Sequence, residues 1–137
     1  MGRVVVHLHG SPSDRNIASI IESYSDRLKS KVRIQIHKVK LSPSEYLGAL
    51  PIDVILLDES GETLSSVEFT KRFSAWGLSS DETHLAIGPA DGFPKDHNKL
   101  SISLSQMTLP HELATAMLFE QLYRAFEIGR GSGYHRV

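Results

Sequence analysis

Two short apolar runs in the N-terminal half of the chain contain no polar residue. They cover residues 4–6 and 54–57, and such runs are typical of strands buried on both faces of a parallel sheet. Residues 32–38 instead alternate apolar and polar side chains, which predicts an edge or half-exposed strand. Residues 84–88 and 101–104 are two further short strand candidates.

Segments with helical spacing lie between these strands. Apolar residues recur every three or four positions from Ile17 to Leu28, as on the buried side of a helix. Ser65 and Glu68 form a capping-box pattern that predicts a helix through Trp76, ended by Gly77. Residues 42–51 allow at most two turns of helix. This alternation predicts an α/β fold with three layers and a mostly parallel sheet.

The last predicted helix, over residues 110–128, differs from the others because it is apolar around most of its circumference. Its apolar positions are Leu113, Ala114, Ala116, Met117, Leu118, Phe119, Leu122, Tyr123, Ala125 and Phe126. A helix of this kind must be buried on several sides. In so small a protein we expect one of those sides to face a second copy of the chain, which predicts a homodimer.

Length and composition narrow the possible classes of protein. The 137 residues fit a single domain over residues 1–137. The absence of cysteine excludes disulfides, zinc ribbons and thiol catalysis. No apolar run reaches the roughly 18–20 residues of a membrane span, and no signal-peptide pattern precedes the first strand. We therefore expect a cytoplasmic protein without a membrane partner. The net charge of −1 means that RNA binding would need a local basic patch.

Common catalytic and nucleotide-binding motifs are missing from the sequence. Residues 9–13 lack both the G-x-G-x-x-G pattern and a Walker lysine. His7 and His9 would share one face of a strand, but no third ligand follows at a suitable spacing, so no metal site is predicted. His111-Glu112 is not followed by a second histidine, and no G-x-S-x-G elbow occurs.

Two loops have compositions that suit a binding site. Residues 87–92 place two glycines and a proline after a strand, where a ligand could approach the backbone, although a plain surface turn is an equal alternative. Residues 103–111 interleave hydroxyl and apolar side chains, which could enclose a flat ring. The alternative for this second loop is a strand followed by an N-cap at Thr108 and a helix with Pro110 in its first turn.

The order of motifs along the chain resembles one family, RlmH, the SPOUT-class methyltransferases that act on a pseudouridine of large-subunit ribosomal RNA. The motifs are D-E-S-G at 58–61, I-G-P-A-D-G at 87–92, L-S-Q-M-T-L-P-H at 104–111, E-Q-L-Y-R-A at 120–125 and Y-H at 134–135. The resemblance extends from about residue 54 to the C-terminus. The N-terminal third agrees only in its order of strand, helix and strand.

The resemblance implies a trefoil-knotted SPOUT fold, a homodimer packed through the terminal helices, and S-adenosylmethionine bound in the knot. The implied cofactor contacts are Leu57, Gly88, Leu104, Ser105, Gln106, Met107, Thr108 and Leu109. Two positions depart from the family pattern. Pro89 replaces a glycine and so removes an N–H donor, and Asp91 replaces a glutamate.

The implied reaction transfers a methyl group to N3 of a pseudouridine, either in free ribosomal RNA or in an assembled ribosome, and needs no metal. Because N3 carries a proton, a base must assist. Tyr134 and His135 are the candidates that close over the base, with Arg124 as a third catalytic candidate. Arg124, Arg130 and Arg136 are the candidates for binding phosphates. The alternatives are a tail that only caps a dimer surface, a non-catalytic knotted module that binds S-adenosylmethionine or RNA, and a flavodoxin-like regulator.

Overall fold

A computed structural model describes residues 2–136 and contains five strands and four helices over that range. The strands are β1 (Val4–His9), β2 (Val32–His37), β3 (Ile55–Thr63), β4 (Thr83–Ile87) and β5 (Ser101–Ser103). The helices are α1 (Arg15–Leu28), α2 (Pro43–Ala49), α3 (Ser66–Leu78) and α4 (His111–Gly129). None of these helices is long and apolar enough to cross a membrane.

The sheet has the strand order β2-β1-β4-β3-β5, and all four pairs of neighbouring strands are parallel. The first predicted strand is central and Val4, Val5 and Val6 are buried, as the apolar run predicts. The alternating segment forms the edge strand β2, which is also confirmed. Because the strands are parallel, their carboxyl ends lie along the same side of the sheet, and the loops that follow the strands gather along that side.

Helices cover both faces of the sheet, so the three-layer α/β architecture is confirmed. On one face α1, α3 and α4 pack against β1 residues such as Val4, Val6 and Leu8. On the other face α2 buries Tyr46 against Leu56 and Ala86.

The capping signals predict the start of α3 correctly but not its end. The predicted capping box is present at the start of α3, where the Ser65 hydroxyl accepts from the Glu68 N–H and the Glu68 carboxylate accepts from the Ser65 N–H. Gly77 does not end this helix, which continues to Leu78 with Ser79 as its C-cap. Gly77 does not adopt the positive φ of a glycine that ends a helix, so the helix continues through it. No atom lies within 4 Å of a Cβ added at this position.

The terminal helix α4 lies one residue later than predicted and begins at His111 with Pro110 as its N-cap. The alternative of an N-cap at Thr108 is wrong, because the Thr108 hydroxyl donates to Glu59 instead. Helix α4 lies between α1 and α3 over the sheet, and among its large apolar side chains only Leu113 is exposed. Neighbours in the same chain therefore account for most of its apolar circumference. That pattern alone does not require a second copy, and the homodimer stays a prediction.

Candidate functional site

A cavity of about 240 Å³ opens at the carboxyl ends of β4 and β5, beside the middle of β3. Seven of the eight residues that the resemblance assigns to the cofactor line this cavity: Leu57, Gly88, Leu104, Ser105, Met107, Thr108 and Leu109. The eighth, Gln106, is exposed and is not part of the lining. The loop after β4 and the segment after β5 thus line one cavity together with Leu57.

One wall of the cavity comes from an irregularity in β3. The pairing of β3 with β5 shifts between Leu57 and Glu62, so the intervening residues bulge out of the ladder. Gly61 makes this possible, because a Cβ at that position would lie 2.6 Å from the Ser101 carbonyl carbon. The bulge brings Asp58 and Glu59 into the lining. Residues 58–61 carry the D-E-S-G motif, but neither carboxylate was predicted to line the cavity.

The loop after β4 is supported from the opposite face of the sheet. The buried Tyr46 hydroxyl donates to the Ile87 carbonyl oxygen at 2.8 Å, and burial raises the pKa of this phenol. The Tyr46 ring stacks on Phe93 at 5.9 Å between centroids. The edge of the Phe93 ring would lie 3.3 Å from a Cβ at Gly88. The glycine therefore leaves room for the Phe93 ring as well as for a ligand.

Short hydrogen bonds shape the segment between β5 and α4. The Ser103 hydroxyl donates to the Ser105 carbonyl at 2.8 Å, and the Met107 N–H donates to the Ser105 hydroxyl at 3.0 Å. The Thr108 hydroxyl donates to the Glu59 carboxylate at 2.6 Å, which joins this segment to the β3 bulge. Within residues 2–136, no protein acceptor binds the backbone N–H groups of Ser105, Gln106, Thr108 and Leu109. These groups can bind the polar edge of a ligand.

The β3 side of the cavity is acidic. Asp58 accepts a hydrogen bond from His97 at 3.2 Å, Glu59 binds Thr108, and Asp91 is exposed at the rim. Three carboxylates around an otherwise mixed polar and apolar cavity favour a ligand that carries positive charge.

A second, smaller cavity adjoins the first and shares Ile87 and His111 with it. Its far wall is the loop between β1 and α1, which Glu112 holds in place. The Glu112 carboxylate accepts hydrogen bonds from the backbone N–H groups of Ser13 and Asp14, both at 3.0 Å, and from the Ser13 hydroxyl. The two N–H groups, with the Ser13 hydroxyl, lower the pKa of Glu112. Sequence reasoning missed this contact, which spans 99 positions.

The C-terminal candidates Tyr134 and His135 contact side chains of α4, the helix that carries Arg124. None of the three lines either cavity. The Tyr134 hydroxyl donates to Glu120 at 2.9 Å and lies 3.3 Å from the Tyr24 hydroxyl. Burial, reinforced by these two contacts, raises the pKa of Tyr134. Arg124 donates to the His135 Nδ1 at 3.0 Å. The segment before them does not extend freely, since the Ser132 N–H donates to the Glu127 carbonyl. That Tyr134 and His135 close over a base stays a prediction.

Two of the three arginines expected to bind phosphate are paired with carboxylates. Arg124 donates to Glu120 at 2.8 Å, and this contact raises the pKa of the guanidinium. Arg130 pairs with the buried Glu127 and lowers the pKa of that carboxyl. Arg136 is exposed.

His7 and His9 share one face of β1, as predicted, but they do not converge on a metal. His7 is buried and contacts His37 at 2.8 Å and His84 at 2.9 Å through its two ring nitrogens. His9 donates to the Leu41 carbonyl at 2.8 Å. Over residues 2–136, no cluster of three side chains has the arrangement of a metal site.

Comparisons with known proteins agree with this geometry. A family model described as predicted SPOUT methyltransferase matches residues 3–135. Ribosomal RNA large subunit methyltransferase H of Cereibacter sphaeroides (strain KD131) is 49% identical over 87 aligned residues, which cover 61% of this chain and 56% of that protein. The chain thus spans little more than half the length of this relative.

A second relative aligns over more of its length. The protein of the same name from Nitrosomonas eutropha is 34% identical over 135 aligned residues, covering 83% of this chain and 86% of that protein. The solved structure of TrmJ from Z. mobilis ZM4 has a TM-score of 0.51 at 8% identity, covers 90% of this chain and 69% of its own, and supports the fold alone. The resemblance in the sequence motifs is confirmed: the chain belongs to the SPOUT methyltransferase family.

Proposed function

We propose that the chain binds S-adenosylmethionine in the larger cavity and transfers its methyl group to large-subunit ribosomal RNA. The finer proposal places the methyl group on N3 of a pseudouridine. The observation that carries cofactor binding is the cavity itself, since seven residues assigned to the cofactor by family resemblance meet around one space. The pseudouridine target rests on the resemblance of the sequence motifs. The names of the relatives support the class of RNA substrate.

The lining of the cavity fits the cofactor. Adenine is flat and polar at its edges, and the cavity offers apolar side chains such as Leu57 and Leu109 beside free backbone N–H groups. The sulfonium and ammonium groups of S-adenosylmethionine are positive, and the carboxylates of Asp58, Glu59 and Asp91 complement that charge.

The residues of the chain then have to orient the methyl donor and the RNA base. Bound in the cavity, S-adenosylmethionine supplies an electrophilic methyl group. The walls fixed by Tyr46 and by the Thr108–Glu59 hydrogen bond hold the donor site in one geometry, as alignment of reacting atoms requires. The N3 proton of the base must leave to a nearby acceptor.

His135 has to change its hydrogen bonding before it can be that acceptor. Its Nδ1 accepts a hydrogen bond from Arg124, so in the neutral tautomer Nε2 carries the ring proton and neither nitrogen is free. We therefore propose that the tail leaves Arg124 and Glu120 when it closes over the base. Tyr134 would move with it, because both residues contact the same part of α4.

The remaining proposals follow from the same assignment. We propose that the chain forms one domain over residues 1–137 with a trefoil knot, and that two copies form a homodimer. We also propose a cytoplasmic location and an assembled ribosome as substrate. All of these are consistent with the family. The exposed Ile20 of α1 and Leu113 of α4 lie on neighbouring helices and support an apolar contact with a second copy.

The second candidate function is a non-catalytic module that binds S-adenosylmethionine or RNA. Pro89 favours it, because a proline in the cavity wall has no N–H to offer a ligand.

Calorimetry with a matched pair of glycine variants tests the cofactor site. We expect the wild-type chain to bind S-adenosylmethionine at about micromolar strength. Gly88→Val should weaken binding at least tenfold, because its side chain competes with the ligand and Phe93 for the same space. Gly48→Val, where no atom lies within 4 Å of an added Cβ, should bind like wild type. Equal binding by both variants would place the cofactor elsewhere.

A further inference from the structure

Three basic residues belong to segments next to the smaller cavity, the turn after β2 and the start of α1. Lys38 and Lys40 follow β2, and Arg15 is the first residue of α1; we call these three residues the basic rim. All three are exposed, and within the described part of the chain none forms an ion pair. The basic rim therefore carries positive charge that no carboxylate among residues 2–136 pairs with.

Close packing joins the basic rim to the cavities. The Gly10 N–H donates to the His37 carbonyl at 2.9 Å, and a Cβ at Gly10, where φ is +83°, would lie 3.0 Å from the Val39 Cβ. The turn that carries the two lysines thus rests on the loop that walls the smaller cavity. Two strand spacings, about 10 Å, separate the end of β2 from the end of β4 at the larger cavity.

The carboxylates nearest the basic rim are engaged in hydrogen bonds to backbone N–H groups. Asp14 caps α1, Glu45 completes the capping box of α2, and Glu112 holds the loop at Ser13 and Asp14. Their negative charge lies at helix starts and at the loop, where it is compensated by aligned N–H dipoles. The lysines and the arginine are left to attract an external anion.

The opposite side of the larger cavity has the reverse charge. Asp58 and Glu59 lie on β3, two strands away from β1 in the sheet, and Asp91 lies in the loop that runs from β4 to β5. A polyanion whose base enters the larger cavity would be repelled from the β3 side and attracted to the β2 side. Arg124 and Arg130 compete less well for it, because Glu120 and Glu127 already neutralise them.

We propose that the basic rim binds the phosphates of single-stranded RNA next to the nucleotide that enters the larger cavity. This inference rests on the proposed RNA substrate and assigns its backbone to Arg15, Lys38 and Lys40. Phosphate contacts fix the position of the strand and make binding depend on salt.

The two ends of β2 provide a matched test. Lys38→Gln/Lys40→Gln removes two charges at the basic rim, and Lys29→Gln/Lys31→Gln removes two at the other end of the strand, about 20 Å away. Binding of ribosomes and of a short fluorescein-labelled single-stranded RNA would be measured between about 50 and 200 mM salt. The first pair should weaken binding about tenfold and lower the log–log salt slope by about 1 per lysine. The second pair should match wild type.

The outcomes separate this inference from the proposed function. Equal loss in both pairs, or no loss in either, would overturn the assignment of the basic rim while wild-type methyl transfer stands. A wild-type chain that binds neither ribosomes nor the RNA would overturn both. The Lys38→Gln/Lys40→Gln variant should keep wild-type affinity for S-adenosylmethionine, since neither lysine lines the larger cavity.

Discussion

Acidification should destabilise this fold through the buried His7, at pH values where most carboxylates are still charged. His7 lies between His37 and His84, and each nitrogen-to-nitrogen contact needs one proton. Burial, with the neighbouring imidazoles, lowers the pKa of His7 from 6.5 to about 4. Burial also lowers the pKa of His37. Unfolded His7 takes up its proton below pH 6.5, whereas folded His7 resists until about pH 4.

The pKa shift of His7 determines how much unfolding free energy is lost on acidification. A depression from 6.5 to about 4 corresponds to about 3 kcal/mol of unfolding free energy, present above pH 6.5 and lost as the pH falls towards 4. More than half of that loss should be visible by about pH 5, where carboxylates of ordinary pKa are still mostly charged.

Urea unfolding followed by the fluorescence of Trp76 would measure this loss, at one protein concentration and at pH values from about 7 to 4.5. His7→Phe keeps the site filled but removes the titrating group, so its stability should fall much less over the same range. His111 lies outside the group of hydrogen-bonded imidazoles formed by His37, His7 and His84. His111→Phe should therefore keep the wild-type pH dependence of stability. Equal pH dependence in wild type and His7→Phe would refute the assignment to His7.

Three further predictions concern the tail, the assembly and the β1–α1 loop. Removing residues 134–137 should leave cofactor affinity unchanged in calorimetry and lower turnover on ribosomes by about 10²-fold; equal turnover would make the tail a surface cap. Light scattering should give twice the 15.2 kDa of one chain, whereas a monomer at micromolar concentration would exclude the dimer. Glu112→Gln should lower the unfolding free energy by about 1 kcal/mol, because the amide has one acceptor oxygen for the donors of Ser13 and Asp14. Glu22→Gln, on the exposed side of α1, should have no effect.

Features that depend on neighbouring residues in the chain could be predicted from the sequence. The apolar run at Val4, Val5 and Val6 specifies a strand buried on both faces, whatever its partners are. The capping box at Ser65 and Glu68 is complete within four residues. Family resemblance predicted seven of the seventeen residues that line the cavity. Six of the other ten lie in the two loops, residues 87–92 and 103–111, whose composition suits a binding site.

Features that depend on contacts between distant segments could not be predicted in this way. The bulge at Asp58 and Glu59 exists because Gly61 lets β5 approach, and the sequence does not specify which strand pairs with β3. The hydrogen bonds of His7 require β2, β1 and β4 to be neighbours. The apolar circumference of α4 could equally be covered by its own chain or by a second copy.

Isotope-labelled methyl transfer to ribosomes tests the proposed activity most directly. Ribosomes from a strain that lacks the endogenous enzyme would be incubated with the chain and S-adenosylmethionine carrying a deuterated methyl group. The RNA would then be digested to nucleosides and analysed by mass spectrometry. We expect the label in one methylated pseudouridine of the large-subunit RNA, and none with the Gly88→Val variant. Wild-type ribosomal RNA without label, from a chain that binds the cofactor, would contradict the proposed activity and favour the non-catalytic module.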